Sequence, residues 1–270
     1  MTEDATQGML FGGLGPATVE DTLAATQLRL CALNVGNPSP ARAQRLTDWL
    51  LGCGCNALVL TEVQPRDGGQ LLRAALHAEG YDVRCTPGWT KSRYLTVVAT
   101  KGFDVGPVEP IPFDPRIVAV DLTSPGGSLR LVGVYAPTNG GTAESSQRRR
   151  EFQQRLLAYL APMDAAALCV TGDLNVIEPR HHPPLPAFLD HDYAFYTGLG
   201  DLGLLDAYRT TQPAGADHSW LSVRFGNQRL DHTFLGRDVG ALTECVYDHA
   251  PREQELTDHA AMRTVLDLTG

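Results

Sequence analysis

The sequence predicts an α/β protein built as a mixed, layered sandwich, with two sheets facing each other and helices outside. Three observations carry that expectation. Strand-like and helix-like runs follow the order strand, helix, strand, helix, several strands, helix, strand, helices, strands, which lacks the strict βαβ alternation of a Rossmann sheet. With 270 residues, 43% hydrophobic and 20% charged, the chain can fill one large α/β core or two small ones. Polar residues also recur where the apolar strands stop, which is where a sheet's rim presents chemistry.

Taken in order, residues 1–27 are rich in Gly, Thr and Ala without clear periodicity. They read as an N-terminal extension with a short helix near 19–25, and 28–270 as the folded domain. QLRLCALN (27–34) alternates as a first strand. Pro38 and Pro40 break the chain, and 41–51 has helical spacing with Leu46, Trp49, Leu50 and Leu51 on the apolar side. CNALVLTEV (55–63) is a buried strand with a glutamate at its end, and 71–78 a second helix. Residues 81–85, 94–100, 117–122 and 129–135 are strand-like, separated by Gly and Pro clusters. The longest helix is 144–160, with Arg148, Arg149 and Arg150 expected as an exposed patch. Residues 165–170 read as a buried strand leading into Thr171-Gly172-Asp173-Leu174-Asn175. RLDHTFL (229–235), 239–248 and 261–268 are the last strands.

Composition narrows the function classes. The net charge of −9 builds no long-range attraction to nucleic acid, although a local basic rim around a metal can suffice. No apolar run is long enough to span a bilayer, and the polar, acidic start is not a secretory signal. The six cysteines sit mostly in apolar runs, and Cys53-Gly54-Cys55 has no second pair for a zinc knuckle. The expectation is a cytoplasmic monomer with reduced thiols.

The chemistry gathers at strand ends. Asn34 ends the first strand, Glu62 the second, Tyr135 the strand before the long helix, and Asp173 and Asn175 follow the central one. Asp231 lies in a strand beside His232, and Asp258 and His259 precede the last strand. A hard divalent cation prefers such oxygen ligands. A carboxylate next to a carboxamide, as in Asp173-Leu174-Asn175, can take a water's proton while the amide orients a neighbouring oxygen. His181-His182 lacks a third ligand at zinc spacing, and His232 faces the opposite side of its strand from Asp231. The histidine pair reads as loop before Pro183-Pro184, His232 as structural, and Asp206 as structural or as a hydrogen-bonding support.

The segments Leu33-Asn34-Val35, Thr61-Glu62-Val63, Val134-Tyr135-Ala136-Pro137, Gly172-Asp173-Leu174-Asn175, His218-Ser219-Trp220, Arg229-Leu230-Asp231 and Thr257-Asp258-His259 occur in that order. In this the chain, over about residues 28–268, resembles the endonuclease/exonuclease/phosphatase superfamily and looks like its exonuclease III and abasic-site endonuclease branch. The resemblance implies a four-layer α/β sandwich with two mixed β-sheets packed face to face and helices outside. It also implies metal-dependent hydrolysis of a phosphoester, with Mg²⁺ as cofactor and Mn²⁺ as substitute. Carried onto these positions, Glu62 and Asp258 are metal ligands, and Asn34 serves the metal shell or the phosphate. Asp173 is the general base, Asn175 holds the water or a phosphate oxygen, and His259, oriented by Asp231, donates to a non-bridging oxygen. Tyr135 contacts the phosphate or leaving group.

The implied substrate is DNA, with Trp220, Leu230 and Gln228 lining the pocket and Lys91, Arg93, Arg148 and Arg149 as a candidate basic rim. Gln228 stands where relatives often carry a tryptophan, Gly36 where Asp or Asn often assists the metal, and Val63-Gln64 where threonine and lysine commonly follow the glutamate. These departures bear on abasic-site specificity rather than on the metal chemistry. The alternative is a metal-dependent phosphatase or phosphodiesterase acting on a small or lipid-derived phosphoester. A binding protein that kept the fold is a third reading.

Overall fold

In the computed structural model, which describes residues 26–86, 93–109, 111, 114–138 and 140–269, two six-stranded sheets stack face to face. The first contains β1 (Gln27–Asn34), β2 (Ala57–Val63), β3 (Asp82–Cys85), β4 (Leu95–Thr100), β11 (Ala241–Asp248) and β12 (Ala261–Asp267), in the order β11-β12-β1-β2-β4-β3. The second contains β5 (Asp104–Val105), β6 (Ile117–Ser124), β7 (Gly127–Tyr135), β8 (Leu168–Asp173), β9 (Leu205–Asp206) and β10 (Asp231–Leu235), in the order β5-β6-β7-β8-β10-β9. Each sheet holds one parallel pair at its centre, β1 with β2 and β7 with β8, and is otherwise antiparallel. The four-layer sandwich expected from the sequence is therefore the fold.

Three apolar layers hold it together. Leu28, Leu30 and Val59 of the first sheet meet Val118, Leu131 and Cys169 of the second in the central layer. Gly133 of β7 lies where the sheets come closest: a Cβ there would sit 2.9 Å from Val59 Cγ1 and 3.0 Å from Thr96 Cγ2, so any side chain would push the sheets apart. Outside the first sheet pack α1 (Pro40–Gly52) and α2 (Asp67–Ala78), through Leu46, Leu50, Leu72 and Leu76. Outside the second pack α3 (Ala143–Leu160) and α4 (Asp190–Asp201), through Phe152, Leu156, Phe195 and Leu199. Two short helices, α5 (Ala207–Thr211) and α6 (Ala250–Glu253), complete the set.

Local chemistry sets the helix starts. Ser39 caps α1 by accepting from Arg42 N at 3.3 Å, with Pro40 in the first turn where no N–H is missed. Thr142 and Ser145 form a reciprocal capping box on α3. Some boundaries differ from expectation. Helix α2 begins at Asp67, earlier than its apolar spacing predicts. Residues Ala165–Ala167 form a 3-10 turn, so β8 starts only at Leu168. The expected arginine patch is also split: Arg148 is exposed and pairs with Glu144 at 2.9 Å, but Arg149 is buried in an ion pair with Asp192. The helix expected near 19–25 and the rim residue Lys91 lie outside the described residues.

Candidate active site

Parallel strands end on the same side, so the carboxyl ends of β1, β2, β7 and β8 converge on one edge of the sandwich. They bring Asn34, Glu62, Tyr135 and Asp173 with them. The antiparallel partner of β8 starts at that edge: Asp231 is paired directly with Asp173 in the β8–β10 register. Tyr135 is the parallel partner of Asp173 on its other side. Two strained backbone positions aim the polar groups. The β2–β4 register slips between Leu60 and Val63, and Glu62 within that slip takes φ of 54°. Asn175 takes φ of 50° just after β8. Non-glycine residues in this region cost energy and gather at functional sites. Gly172 permits the approach of β8 to β7, since a Cβ on it would lie 2.2 Å from Val134 O.

The side chains form one connected network. Asn34 Nδ2 donates to Glu62 Oε1 at 3.1 Å and to Asp173 Oδ2 at 2.9 Å, while its Oδ1 accepts from Gly36 N. Tyr135 donates to the same Glu62 oxygen at 2.8 Å. Asp173 Oδ1 accepts from Asn175 N at 3.0 Å, and Asn175 Nδ2 is held by Ala136 O. On the far side, His259 Nδ1 donates to Asp231 Oδ2 at 2.7 Å, which leaves Nε2 as the ring nitrogen available to a ligand. Asp231 Oδ1 is buried without a hydrogen-bond partner. The Asp231–His259 contact, 28 residues apart in sequence, meets the expectation that the histidine is oriented by this aspartate.

Electrostatics makes the floor of the site acidic and tense. Burial, together with the charge of Asp231, pushes Asp173 up to about 8, against the opposing pull of His259 and the Asn34 hydrogen bond. Burial works against a charged His259, but the Asp231 contact outweighs it and raises the imidazole to about 9. Burial and the carboxylates of Asp173 and Glu62 drive the Tyr135 hydroxyl far up, so it stays a donor.

Both upward shifts have the same sign for the metal-free protein. Between about 4 and about 8 the native Asp173 keeps a proton that an unfolded aspartate has released, and between about 6.5 and about 9 the native His259 keeps one that an unfolded histidine has released. Stability contributed by these groups is therefore lost as pH rises through that span. In EDTA, the melting temperature is expected to fall from pH 5.5 to 8.5, with a flatter profile for Asp173→Asn. A flat or rising wild-type profile would contradict the assignment of these shifts.

Above this floor opens a cleft of about 1370 Å³. Glu62, Asp173, Asn175, Asp258 and His259 line it, as do Trp220, Gln228 and Leu230, so the residues chosen from the sequence share one space. Asn34 and Asp231 lie beneath, and Tyr135 borders a smaller adjoining cavity. Trp220 bridges in antiparallel fashion to Gln228 and to His259, and its indole donates to Asp258 Oδ2 at 2.9 Å. Of the residues predicted as a basic rim, Arg149 is neutralised by Asp192. The cleft instead carries Arg150 and Arg224, the latter over the Phe225 ring.

Sequence reasoning passed over several supports. Ser219 Oγ accepts from Leu230 N and Asp231 N, and Thr257 Oγ1 donates to Asn34 O at 2.7 Å. Both lie inside segments singled out for their neighbours, which was the available signal. Phe225 and Arg224 carried none, because an exposed aromatic beside an arginine in a Gly-containing loop has no periodicity.

The residues fit a hard divalent cation. Glu62, Asp173 and Asp258 line the cleft with His259, and Asp231 lies beneath on that histidine, an excess of carboxylates at its floor that a cation relieves. Among the described residues, Asp173, Asp231 and His259 form a group of three possible ligands whose atoms lie within 4.8 Å of one another, and neither Glu62 nor Asp258 belongs to it. In that trio the histidine's Nδ1 is already committed to Asp231.

The description Endonuclease/Exonuclease/phosphatase family matches residues 31–259. Among curated proteins no relative matches the sequence. Among solved structures, the chain is similar to an AP endonuclease from Archaeoglobus fulgidus, at 20% identity and TM-score 0.73, over 89% of this chain and 99% of that one. It is similar to a 3′-5′ exonuclease from Neisseria meningitidis, at 20% identity and TM-score 0.72, over 89% of this chain and 100% of that one. It is also similar to a 3′ phosphatase from Neisseria bound to a product DNA hairpin, at 20% identity and TM-score 0.70, over 89% and 99%.

Proposed function

The chain belongs to the endonuclease/exonuclease/phosphatase family and is a hydrolase of phosphoester bonds, and from that premise we propose that its substrate is DNA. In this reading it is a Mg²⁺-dependent nuclease of the exonuclease III and abasic-site endonuclease kind. The observation that carries the proposal is the pairing of Asp173 directly against Asp231, with His259 on the latter and Glu62 joined to Asp173 through Asn34, at the floor of a wide cleft. DNA-processing neighbours of the same fold support it.

Phosphodiesters resist attack because their charge repels nucleophiles. A bound magnesium ion offsets that charge and stabilises the leaving oxygen. Glu62 and Asp258 would hold it, with Asn34 fixing the Glu62 carboxylate. The chain's own groups supply the rest. Asp173, oriented by Asn34 and Asn175 N, takes the proton of the attacking water in its ionised form, which needs a pH near 8 in the metal-free protein and which a bound cation would favour at lower pH. His259, kept protonated by Asp231, donates from Nε2 to a non-bridging phosphate oxygen. Asn175 positions the water or an oxygen of the phosphate. Tyr135 donates to Glu62 and would contact the phosphate or the leaving group from there. Trp220, Phe225 and Leu230 offer apolar surface to a sugar or base, and Arg150 and Arg224 meet flanking phosphates. Gln228 presents an amide where a bulkier side chain would narrow the pocket.

The volume of the cleft, about 1370 Å³, supports a polymer over a small phosphoester. A labelled duplex carrying one abasic-site analogue, compared with the undamaged duplex in Mg²⁺ and in EDTA, tests the proposal. Metal-dependent incision at the analogue or trimming from 3′ ends is the expected result. Intact DNA together with metal-dependent phosphate release from small esters would move the substrate to that second class.

A further inference from the structure

One wall of the cleft is a closed loop, residues 221–227, between α5 and β10. Trp220 and Gln228 shut its base with two backbone hydrogen bonds, Trp220 N to Gln228 O at 2.9 Å and Gln228 N to Trp220 O at 2.8 Å. Inside it, Ser222 Oγ accepts from Phe225 N at 3.0 Å, and Asn227 Oδ1 accepts from Ser222 N at 3.3 Å. Gly226 makes the turn with φ of 78°, so close to Leu185 that a Cβ on it would lie 2.8 Å from Leu185 Cδ2. His181 ties the loop from outside by donating from Nε2 to Asn227 O at 3.0 Å. These ties set the loop's shape before any ligand arrives.

What the loop presents is a column of flat groups. Phe225 is 53% exposed, a large apolar ring left at the cleft. The ring lies nearly parallel to the Trp220 indole, at 24° with centroids 6.4 Å apart, and the exposed Arg224 guanidinium stands 4.9 Å from its centroid. Trp220 in turn reaches Asp258 at the floor, so the column begins beside the proposed metal ligands. Gln228 Nε2 donates to Phe225 O at 3.1 Å, which leaves the amide oxygen as the end available to the cleft that Gln228 lines. An acceptor beside an aromatic ring suits a nucleobase, which brings both a π face and N–H donors. A sugar that has lost its base brings no such face. In an intact duplex the faces of a base are covered by its neighbours and its edge is paired, so only an unpaired, unstacked base can use this surface.

Resting on the reading of the substrate as DNA, we propose that Phe225 is the residue that sets specificity, by selecting an unpaired nucleotide that still carries its base. The base stacks on the Phe225 ring in place of the Arg224 guanidinium, Gln228 Oε1 accepts from the base's edge, and the displaced guanidinium turns to a flanking phosphate. The preferred substrate is then single-stranded DNA or an unpaired end, and loss of the base removes the contact.

The test measures kcat/KM of the whole protein in Mg²⁺ on a labelled single strand, on the same strand with stable abasic analogues around the cut, and on the fully paired duplex. The wild type should cut the strand with its bases at least about tenfold faster than either of the others, the scale of one base–aromatic stack. Phe225→Ala should bring the ratio between the two single strands close to one, and Phe225→Tyr should keep it. Affinities for the uncut strands in EDTA should rank in the same way, which places the effect in recognition rather than in chemistry. Should Phe225→Ala melt early, Phe225→Leu, which keeps apolar bulk without a π face, makes the same comparison. Equal wild-type cleavage of both single strands, or a ratio that survives loss of the ring, would overturn the inference and leave the nuclease reading standing. No cleavage of any DNA would remove that reading and this inference together.

Discussion

Asp173→Asn is expected to leave a folded protein that binds duplex DNA and turns it over about a hundred- to ten-thousand-fold more slowly, the usual contribution of a general base. That range corresponds to about 3–5.5 kcal/mol in the barrier. Folding should survive because burial and Asp231 already hold the metal-free Asp173 side chain neutral below about pH 8, and an amide of the same shape replaces it at the cost of weakening one of the two hydrogen bonds the side chain accepts, from Asn34 and from Asn175 N. The amide keeps the shape and one acceptor but has no basic oxygen for the water's proton. Single-turnover cleavage, duplex affinity and the thermal melt together separate the roles. Lost affinity or a large drop in melting temperature would make the residue structural, and near-normal turnover would take the base role from it.

Much of this site was legible from the chain because its residues sit at strand ends, and strands announce themselves. The alternation of QLRLCALN and the apolar run before Thr61-Glu62 place Asn34 and Glu62 at a rim without any tertiary knowledge. The meeting of those rims is a different matter. Asn34 and Asp173 touch across 139 residues of sequence, and only the ordered set of segments, read as a resemblance, brought them together. Other features were hidden for definite reasons. The sequence of α4, DHDYAFYTGLGD, contains two glycines and no strong apolar stripe, so packing against α3 rather than propensity makes it helical. Arg149 looked like one of three exposed arginines because its partner Asp192 lies 43 residues on. The alanines before Leu168 extend an apolar run that looks like strand, but Asp164 caps a 3-10 turn there through Ala166 N at 3.1 Å. The strained Glu62 backbone leaves no mark on residue type at all.

The position of the metal is the point on which residue type and geometry diverge, and Glu62→Gln resolves it. The glutamine keeps an oxygen able to accept from Asn34 and Tyr135, so the network that now converges on Glu62 Oε1 should persist. What it loses is the charge that a hard cation needs. If Glu62 is a ligand, the Mg²⁺ concentration giving half-maximal cleavage should rise by more than about ten- to a hundredfold, the loss typical of disturbing a residue merely behind the ligands. The fold should be unchanged. If the ion instead sits among Asp173, Asp231 and His259, Glu62→Gln should leave the metal requirement nearly intact and Asp231→Asn should shift it. The hydrogen bond from His259 to Asp231 argues for the first outcome, because a carboxylate and an imidazolium already satisfy each other there. Glu62 has only neutral donors, an amide and a phenol, on one of its oxygens. A cation gains most where the existing partners carry no charge of their own.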